Sequence, residues 1–190
     1  LNIFASLVNP GDNVLLPEPY FPLYGPDVGL WGGDPRFYEC LFENEFVPTI
    51  EHLESLVDEN TVAILYNFPS NPTGATITVE QRDELLAFAQ RHDLWIITDE
   101  VYDRIVFDSE HVSFVGCDDE RVILINSFSK TYAMTGWRIG YIMSANKEAM
   151  NQMIKLQYYI TACSNDAMQY AVLTAINDAD DYPDEMCAEF

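Results

Sequence analysis

The chain has 190 residues, of which 48% are hydrophobic and 13% aromatic, and it carries a formal net charge of -22. This length and composition allow one sizeable core and exclude an intrinsically disordered protein. Nucleic-acid binding needs clustered basic residues, whereas nine lysines and arginines face 31 acidic residues here, which excludes nucleic acid as a partner. The apolar runs are too short to span a bilayer and no secretory leader opens the sequence, which predicts a cytoplasmic protein without a membrane partner.

Apolar periodicity predicts buried strands that alternate with amphipathic helices. In chain order, the predicted strands span residues 13–17, 36–42, 61–68, 94–98, 122–126 and 137–143. Helical spacing predicts helices over residues 49–57, 78–92, 147–161 and 165–176, the second of them capped by Thr78. Residues 1–190 are therefore predicted to form one α/β domain, a three-layer α/β/α sandwich with a mainly parallel sheet.

The cysteines do not have the spacing of a metal site. No CxxC pair is present, and the three histidines do not complete a ligand set with them. We therefore expect no metal site and reduced thiols at all four positions, which are Cys40, Cys117, Cys163 and Cys187.

Lys130 is one of only three lysines, and it lies in the segment SFSKTYAMTGWRIGYI, directly after a predicted core strand. A lysine delivered by such a strand into a Ser/Thr-rich turn is held away from bulk water, which suits a Schiff base with a carbonyl compound. The alternative is a lysine at a strand end whose ammonium group extends to solvent. The segment alone does not separate these two interpretations.

Three polar clusters follow three of the predicted strands, with sequences NPTG, DEVY and SFSK. Ligands of open parallel sheets bind beyond the carboxyl ends of the strands, so these clusters are expected to meet at one edge. Asp99 in the second cluster is either a helix cap or a partly buried anion. Such an anion could keep the ring nitrogen of pyridoxal phosphate protonated, with the phenol of Tyr102 nearby. Asn71 is either a turn residue or a ligand contact, and the guanidinium of Arg138 suits phosphate.

The segments YNFPSNPTGA, ITDEVYD and SFSKTYAMTGWRIGYI, with GDNVLLPEPYF before them, occur in an order and at a spacing that resemble fold-type I pyridoxal-phosphate-dependent aminotransferases of the aspartate aminotransferase class. The resemblance runs from about Gly11 to about Ala175. It implies that the chain is the large cofactor-binding domain of that fold, with an N-terminal segment and a small C-terminal domain lying outside the given sequence.

The resemblance implies roles for the residues that hold the ring of pyridoxal phosphate. Lys130 matches the lysine that forms the Schiff base and later moves a proton between substrate and cofactor. Asp99 matches the aspartate at the pyridine nitrogen. Tyr102 and Asn71 match the two residues that hydrogen-bond the phenolic oxygen of the ring.

The resemblance also implies contacts to the phosphate and to the ring face. Ser127 and Arg138 match phosphate ligands, and Phe21 matches an aromatic residue that stacks on the cofactor. Pro19 and Pro72 match prolines that often follow cis peptide bonds in this family.

The activity that the resemblance implies is transfer of the amino group of an L-amino acid to a 2-oxo acid, by an enzyme that is usually a homodimer. A carbon–sulfur lyase or another fold-type I enzyme is an alternative, as is a non-enzymatic pyridoxal-phosphate-binding module of a transcriptional regulator. Because groups that bind phosphate and substrate carboxylate belong to the missing segments, the 190-residue chain by itself is expected to bind the cofactor weakly and to be nearly inactive.

The acidic surface predicts a dependence of stability on salt. Screening of the self-repulsion should make the free energy of unfolding rise with KCl concentration, as in a protein adapted to high salt. Denaturation with urea, which is uncharged, would measure this rise at a series of KCl concentrations. A stability maximum at low salt would contradict the halophilic interpretation and favour an acidic mesophilic enzyme.

Overall fold

The computed structural model describes residues 1–190 and contains one six-stranded sheet with the strand order β2-β1-β3-β4-β5-β6. The first five strands run parallel, and β6 pairs antiparallel with β5. The mainly parallel sheet is therefore confirmed. The strands are β1 (Asn13–Glu18), β2 (Asp34–Glu39), β3 (Thr61–Asn67), β4 (Trp95–Asp99), β5 (Val122–Ser127) and β6 (Gly140–Met143).

Helices cover both faces of the sheet, as predicted for a three-layer sandwich. On one face Leu53, Leu85 and Phe88 belong to the same core cluster as alternate strand residues such as Leu15 and Ile64. The other face is covered by α1, α2 and α6. The helices are α1 (Asn2–Leu7), α2 (Tyr24–Gly29), α3 (Ile50–Leu56), α4 (Val79–Arg91), α5 (Phe128–Thr131), α6 (Lys147–Ile160), α7 (Asp166–Asp178) and α8 (Tyr182–Glu189).

Local sequence explains why the central elements form where they do. Successive strand residues point to opposite faces, so Val14 and Leu16 pack in one core while Leu15 packs in the other. Thr78 caps α4, and it forms a reciprocal capping box with Gln81. Both observations agree with the strands and the helix start that the sequence predicts.

The predicted strand over residues 137–143 is wrong at its beginning. Residues Thr135–Trp137 form a 3₁₀ turn, and Arg138 adopts a left-handed conformation with a φ of 55°, so the strand begins only at Gly140. A Cβ atom on Gly140 would lie 2.7 Å from the carbonyl oxygen of Asn126, which explains the glycine at this close approach of β5 and β6. The short helices α2, α5 and α8 were not predicted, because each is only one or two turns long.

Three proline peptide bonds are cis. Two of them, Glu18–Pro19 and Asn71–Pro72, are those that the family resemblance implies, and the third is Phe68–Pro69. All four cysteines are free thiols. No helix combines the length and the apolar character needed to cross a membrane.

A polar cluster around Asp58 joins the strands at the amino edge of the sheet. Its carboxylate accepts hydrogen bonds from Asn13 Nδ2 at 2.9 Å and from the backbone N–H of Asn60 at 2.8 Å, and Arg36 lies 2.7 Å away. These donors, led by Asn13, lower the pKa of Asp58 to about 2.

The lowered pKa predicts how this cluster responds to acid. The pKa of Asp58 in the folded chain lies below the unfolded value of roughly 3.9, so the stabilisation is present above that pH and is lost as the pH falls toward about 2. The difference in unfolding free energy between wild type and Asp58→Asn should therefore shrink over this interval in urea denaturation. Glu59→Gln, an exposed neighbour, serves as the control, and a gap that stays constant with pH would contradict the prediction.

Candidate functional site

The three polar clusters lie past the carboxyl ends of adjacent strands. Asn67 at the end of β3 pairs in register with Asp99 at the end of β4, and Asp99 pairs in turn with Ile125 of β5. The segments that carry Asn71, Tyr102 and Lys130 therefore leave the same edge of the sheet. This agrees with the expectation from the order of the strands.

Asp99 is a buried carboxylate, with 8% of its surface exposed. Its Oδ2 accepts a hydrogen bond from the Tyr24 hydroxyl at 2.8 Å, and its Oδ1 accepts one from the backbone N–H of Val101 at 3.3 Å. Burial raises the pKa of Asp99 above its ordinary value, and these two hydrogen bonds offset part of that rise. Burial, followed by the charge of Asp99, also raises the pKa of Tyr24 well above its usual range. None of the salt bridges involves Asp99, so this buried carboxylate is held by neutral donors alone.

Lys130 lies on the short helix α5, not in an open turn. The helix begins at the cap residue Ser127, whose hydroxyl accepts a hydrogen bond from the N–H of Ser129 at 3.3 Å. The ammonium nitrogen of Lys130 lies 5.4 Å from the centroid of the Tyr102 ring, within the range of a cation–π contact. The half-buried lysine is thus directed toward the phenol of the neighbouring loop.

Buried Glu100 anchors the loop that carries Tyr102. Its carboxylate accepts hydrogen bonds from Thr98 Oγ1 at 2.8 Å and from the N–H of Phe114 at 3.0 Å, and His111 Nε2 lies 2.8 Å away. Burial acts to raise the pKa of Glu100, but the hydrogen bonds, led by that of His111, lower it below the ordinary value. The loop that follows β4 is therefore fixed at both of its ends.

Two cavities open at this edge of the sheet, and they share no lining residue. The first has a volume of about 380 Å³ and is lined by Asn71 and Tyr102. The second has a volume of about 650 Å³ and is lined by Ser127 and Arg138, next to α6 and the start of α1. Arg138 does not lie on a strand as predicted, since its backbone is left-handed and the strand begins only at Gly140. Its guanidinium donates a 2.9 Å hydrogen bond to the Thr135 carbonyl.

Phe21 is connected to the Asp99 carboxylate by the side chain of Tyr24, which contacts both. Its ring is partly exposed, at 38%, and packs edge-on against Tyr24, with the ring centroids 5.7 Å apart. Tyr24 in turn donates its hydroxyl to Asp99. Of the seven residues predicted from the sequence, Asn71 and Tyr102 line the smaller cavity and Ser127 and Arg138 line the larger one. Asp99, Lys130 and Phe21 line neither of these two cavities.

A family model described as "Aminotransferase class I and II" matches residues 1–189. The chain belongs to this family. It is 38% identical over 177 residues to an aspartate aminotransferase of Thermotoga maritima. The aligned residues make up 92% of this chain and 47% of that protein. It is 40% identical over 177 residues to aromatic-amino-acid aminotransferase 2 of Thermococcus litoralis. The aligned residues make up 92% of this chain and 45% of that protein.

Solved structures of the class I and II aminotransferase family share this fold. The aspartate aminotransferase of Thermus thermophilus, solved with maleate, superposes with a TM-score of 0.94 at 31% identity, over 98% of this chain and 50% of that one. The chain thus spans about half the length of the curated relatives and solved structures that it matches.

Sequence reasoning missed several residues that organise the site in this aminotransferase-family chain. Tyr24 is the last residue of the aromatic segment EPYFPLY, whose conformation could not be predicted from its pattern, and its bond to Asp99 spans 75 positions. Asn126 links the end of β5 to the loop that follows β4, because its Nδ2 donates to Asp103 at 2.8 Å. Its Oδ1 accepts from the N–H of the next residue, Ser127, at 2.7 Å. The available signal was the presence of polar residues at the ends of otherwise apolar strands.

The hydrogen bond between Tyr24 and Asp99 predicts a pH-dependent loss of stability in Tyr24→Phe. Removing a donor from a buried ionised carboxylate should cost roughly 1–3 kcal/mol. Because the hydroxyl lowers the pKa of Asp99, its contribution is present where Asp99 is ionised and is lost as the pH falls through the pKa of that group.

Urea denaturation of wild type and Tyr24→Phe at neutral and at acidic pH measures this effect. The cost of the substitution should be larger at neutral pH. Tyr20→Phe is the matched control, since the hydroxyl of Tyr20 forms no hydrogen bond while its ring stacks on Phe37 at 4.8 Å. Equal losses for the two variants would show that the Tyr24 hydroxyl does not stabilise the carboxylate.

Proposed function

We propose that residues 1–190 form the pyridoxal-phosphate-binding domain of an aminotransferase, which transfers the amino group of an L-amino acid to a 2-oxo acid. The observation that carries this proposal is a buried Asp99 carboxylate without a cationic partner, at the same sheet edge as the half-buried amine of Lys130. Since the chain spans about half the length of its relatives, the activity is proposed for the full-length protein.

The chemistry of Asp99 fits a protonated pyridine ring. A buried carboxylate is costly unless it is paired, and here neutral donors from Tyr24 and Val101 are its partners within the chain. A ring N–H⁺ placed against this carboxylate would supply the missing positive charge and keep Asp99 ionised. When bound, pyridoxal phosphate supplies an electron sink that stabilises negative charge at the substrate Cα.

Lys130 is proposed to hold the cofactor covalently through its amine and to carry a proton to and from the substrate once it is released. Its Nζ lies over the Tyr102 ring, so the amine is kept close to the loop whose phenol faces the smaller cavity. Tyr102 and Asn71 line that cavity together, and their side chains are proposed to donate hydrogen bonds to the phenolic oxygen of the ring. Phe21 is proposed to cover one ring face.

Ser127 and Arg138 are proposed to bind the phosphate. A hydroxyl and a guanidinium in one cavity provide the donors that phosphate oxygens accept. This part of the proposal requires the Arg138 side chain to exchange its contact with the Thr135 carbonyl for the phosphate. Arg138 lies two residues before β6, has a left-handed backbone, and lines the same cavity as Ser127.

The relatives named above act on aspartate or on aromatic amino acids according to their names, so these two substrate classes are the leading candidates. A carbon–sulfur lyase or a regulator module is not favoured by the relatives. A homodimer, which rests on the family resemblance, completes the proposal together with a cytoplasmic location, which agrees with the four free cysteines.

The proposal predicts which lysine carries the cofactor. In the full-length protein loaded with pyridoxal phosphate, Lys130→Ala should abolish the visible absorbance that covalently bound cofactor produces, because the attaching amine is removed. Lys147→Ala and Lys155→Ala, both on α6, should retain it. A visible band that survives in Lys130→Ala, or that disappears in a control variant, would assign the cofactor to another residue.

A further inference from the structure

Asn67, the last residue of β3, has a buried amide with hydrogen bonds to three backbone groups. Its Nδ2 donates to the carbonyl oxygen of Asp99 at 2.9 Å and to that of Pro69 at 3.2 Å. Its Oδ1 accepts from the N–H of Asn71 at 2.8 Å. Only 4% of the residue is exposed. An asparagine amide can form four hydrogen bonds, and three of them are formed here inside the protein.

These three bonds join the two loops that carry the proposed ring contacts. The bond to Asp99 adds a side-chain contact to the last residue pair of the β3–β4 ladder, which is Asn67 with Asp99. The bonds to Pro69 and Asn71 fold the next segment of chain back onto the end of β3. One amide therefore sets the separation between the backbone of Asp99 and the backbone of Asn71.

The proposed cofactor makes this separation important. A pyridine ring is rigid, so its nitrogen and its phenolic oxygen require partners at a fixed distance from each other. A displacement of about 1 Å in a contact of this kind is enough to lose much of its effect. Loops that were free to move independently could not hold both contacts at once.

We propose that Asn67 is a positioning residue that fixes the Asn71 amide relative to the Asp99 carboxylate, so that both reach the same ring. This inference rests on the proposed function. Asn67 acts through its neighbours and not by touching the cofactor, because both of its N–H donors and its carbonyl oxygen have partners in the protein.

The competing interpretation is that Asn67 stabilises only the fold, and Asn13 provides a matched control for it. Asn13 is also a buried strand-end asparagine, with 1% of its surface exposed, and its Nδ2 donates to Asp58 at 2.9 Å. It lies at the amino edge of the sheet, away from the proposed site. Loss of stability should therefore be common to Asn67→Ala and Asn13→Ala, whereas effects on the cofactor should be confined to Asn67→Ala.

The experiment uses the full-length protein with pyridoxal phosphate as the probe. It measures three quantities: the affinity of the apoprotein for the cofactor, the pH at which the visible band is half changed (the pH midpoint), and the temperature at which half of the apoprotein is unfolded (the thermal midpoint). We expect Asn67→Ala to weaken cofactor affinity by about tenfold or more. We also expect it to move the pH midpoint in the same direction as Asn71→Ala, while Asn13→Ala lowers the thermal midpoint and changes neither cofactor property.

A double variant separates positioning from an independent effect. If Asn67 acts through Asn71, the shift in pH midpoint of Asn67→Ala combined with Asn71→Ala should be smaller than the sum of the two single shifts. Asn67→Ser, which keeps a polar group but cannot span the three contacts, gives a second measurement if Asn67→Ala does not fold. Additive shifts, or cofactor properties of Asn67→Ala and Asn67→Ser that match those of Asn13→Ala, would overturn the inference.

The wild-type spectrum distinguishes the failure of this inference from that of the proposed function. If wild type shows a visible band that depends on Lys130 while the Asn67 variants behave like Asn13→Ala, only the positioning role is wrong. If wild type shows no such band, both the proposed function and this inference are wrong.

Discussion

The buried carboxylate of Asp99 is the constraint on which the arrangement of this sheet edge depends. An anion placed at the end of an apolar strand must find donors, and the chain supplies them from separate elements. Tyr24 brings a hydroxyl from α2, and Val101 brings a backbone N–H from the loop that continues toward Tyr102. Asn67 holds the backbone of the same aspartate from β3. A helix, a loop and a strand end are therefore all held in place by hydrogen bonds to one residue, Asp99.

The covering of both sheet faces explains why polar clusters occur at the two edges. Apolar helices bury the side chains between the strand ends, so polar side chains of neighbouring strands can gather only where the strands begin or end. The two edges use the same residue type differently. Asp58 at the amino edge is paired with Arg36 and has a lowered pKa, whereas Asp99 at the carboxyl edge is buried among neutral donors and has a raised one. The first arrangement joins strands, and the second leaves a buried carboxylate without a charged partner in the chain.

The sequence predicted the elements whose signals are local. Continuous apolar runs indicated the central strands, and the capping pattern at Thr78 indicated the start of α4. Its errors lie where tertiary contacts override local preference. The segment before Gly140 is β-rich in composition, yet it turns through a left-handed Arg138 because β6 must reverse direction to pair with β5. Tyr24 carried no local signal at all, since its partner is 75 positions away in the chain.

The sequence by itself determined the α/β class, the mainly parallel sheet, and the three clusters that follow β3, β4 and β5. The reason is that apolar periodicity and the alternation of strands with helices are properties of nearby residues. It also identified Lys130, Asp99, Tyr102 and Asn71 as candidate residues of the functional site. Only the tertiary structure decided that the Lys130 amine lies against the Tyr102 ring, that Asp99 pairs with Tyr24, and that Asn67 ties two loops together. These contacts join residues that are distant along the chain, and their geometry depends on how the loops pack once the sheet has formed.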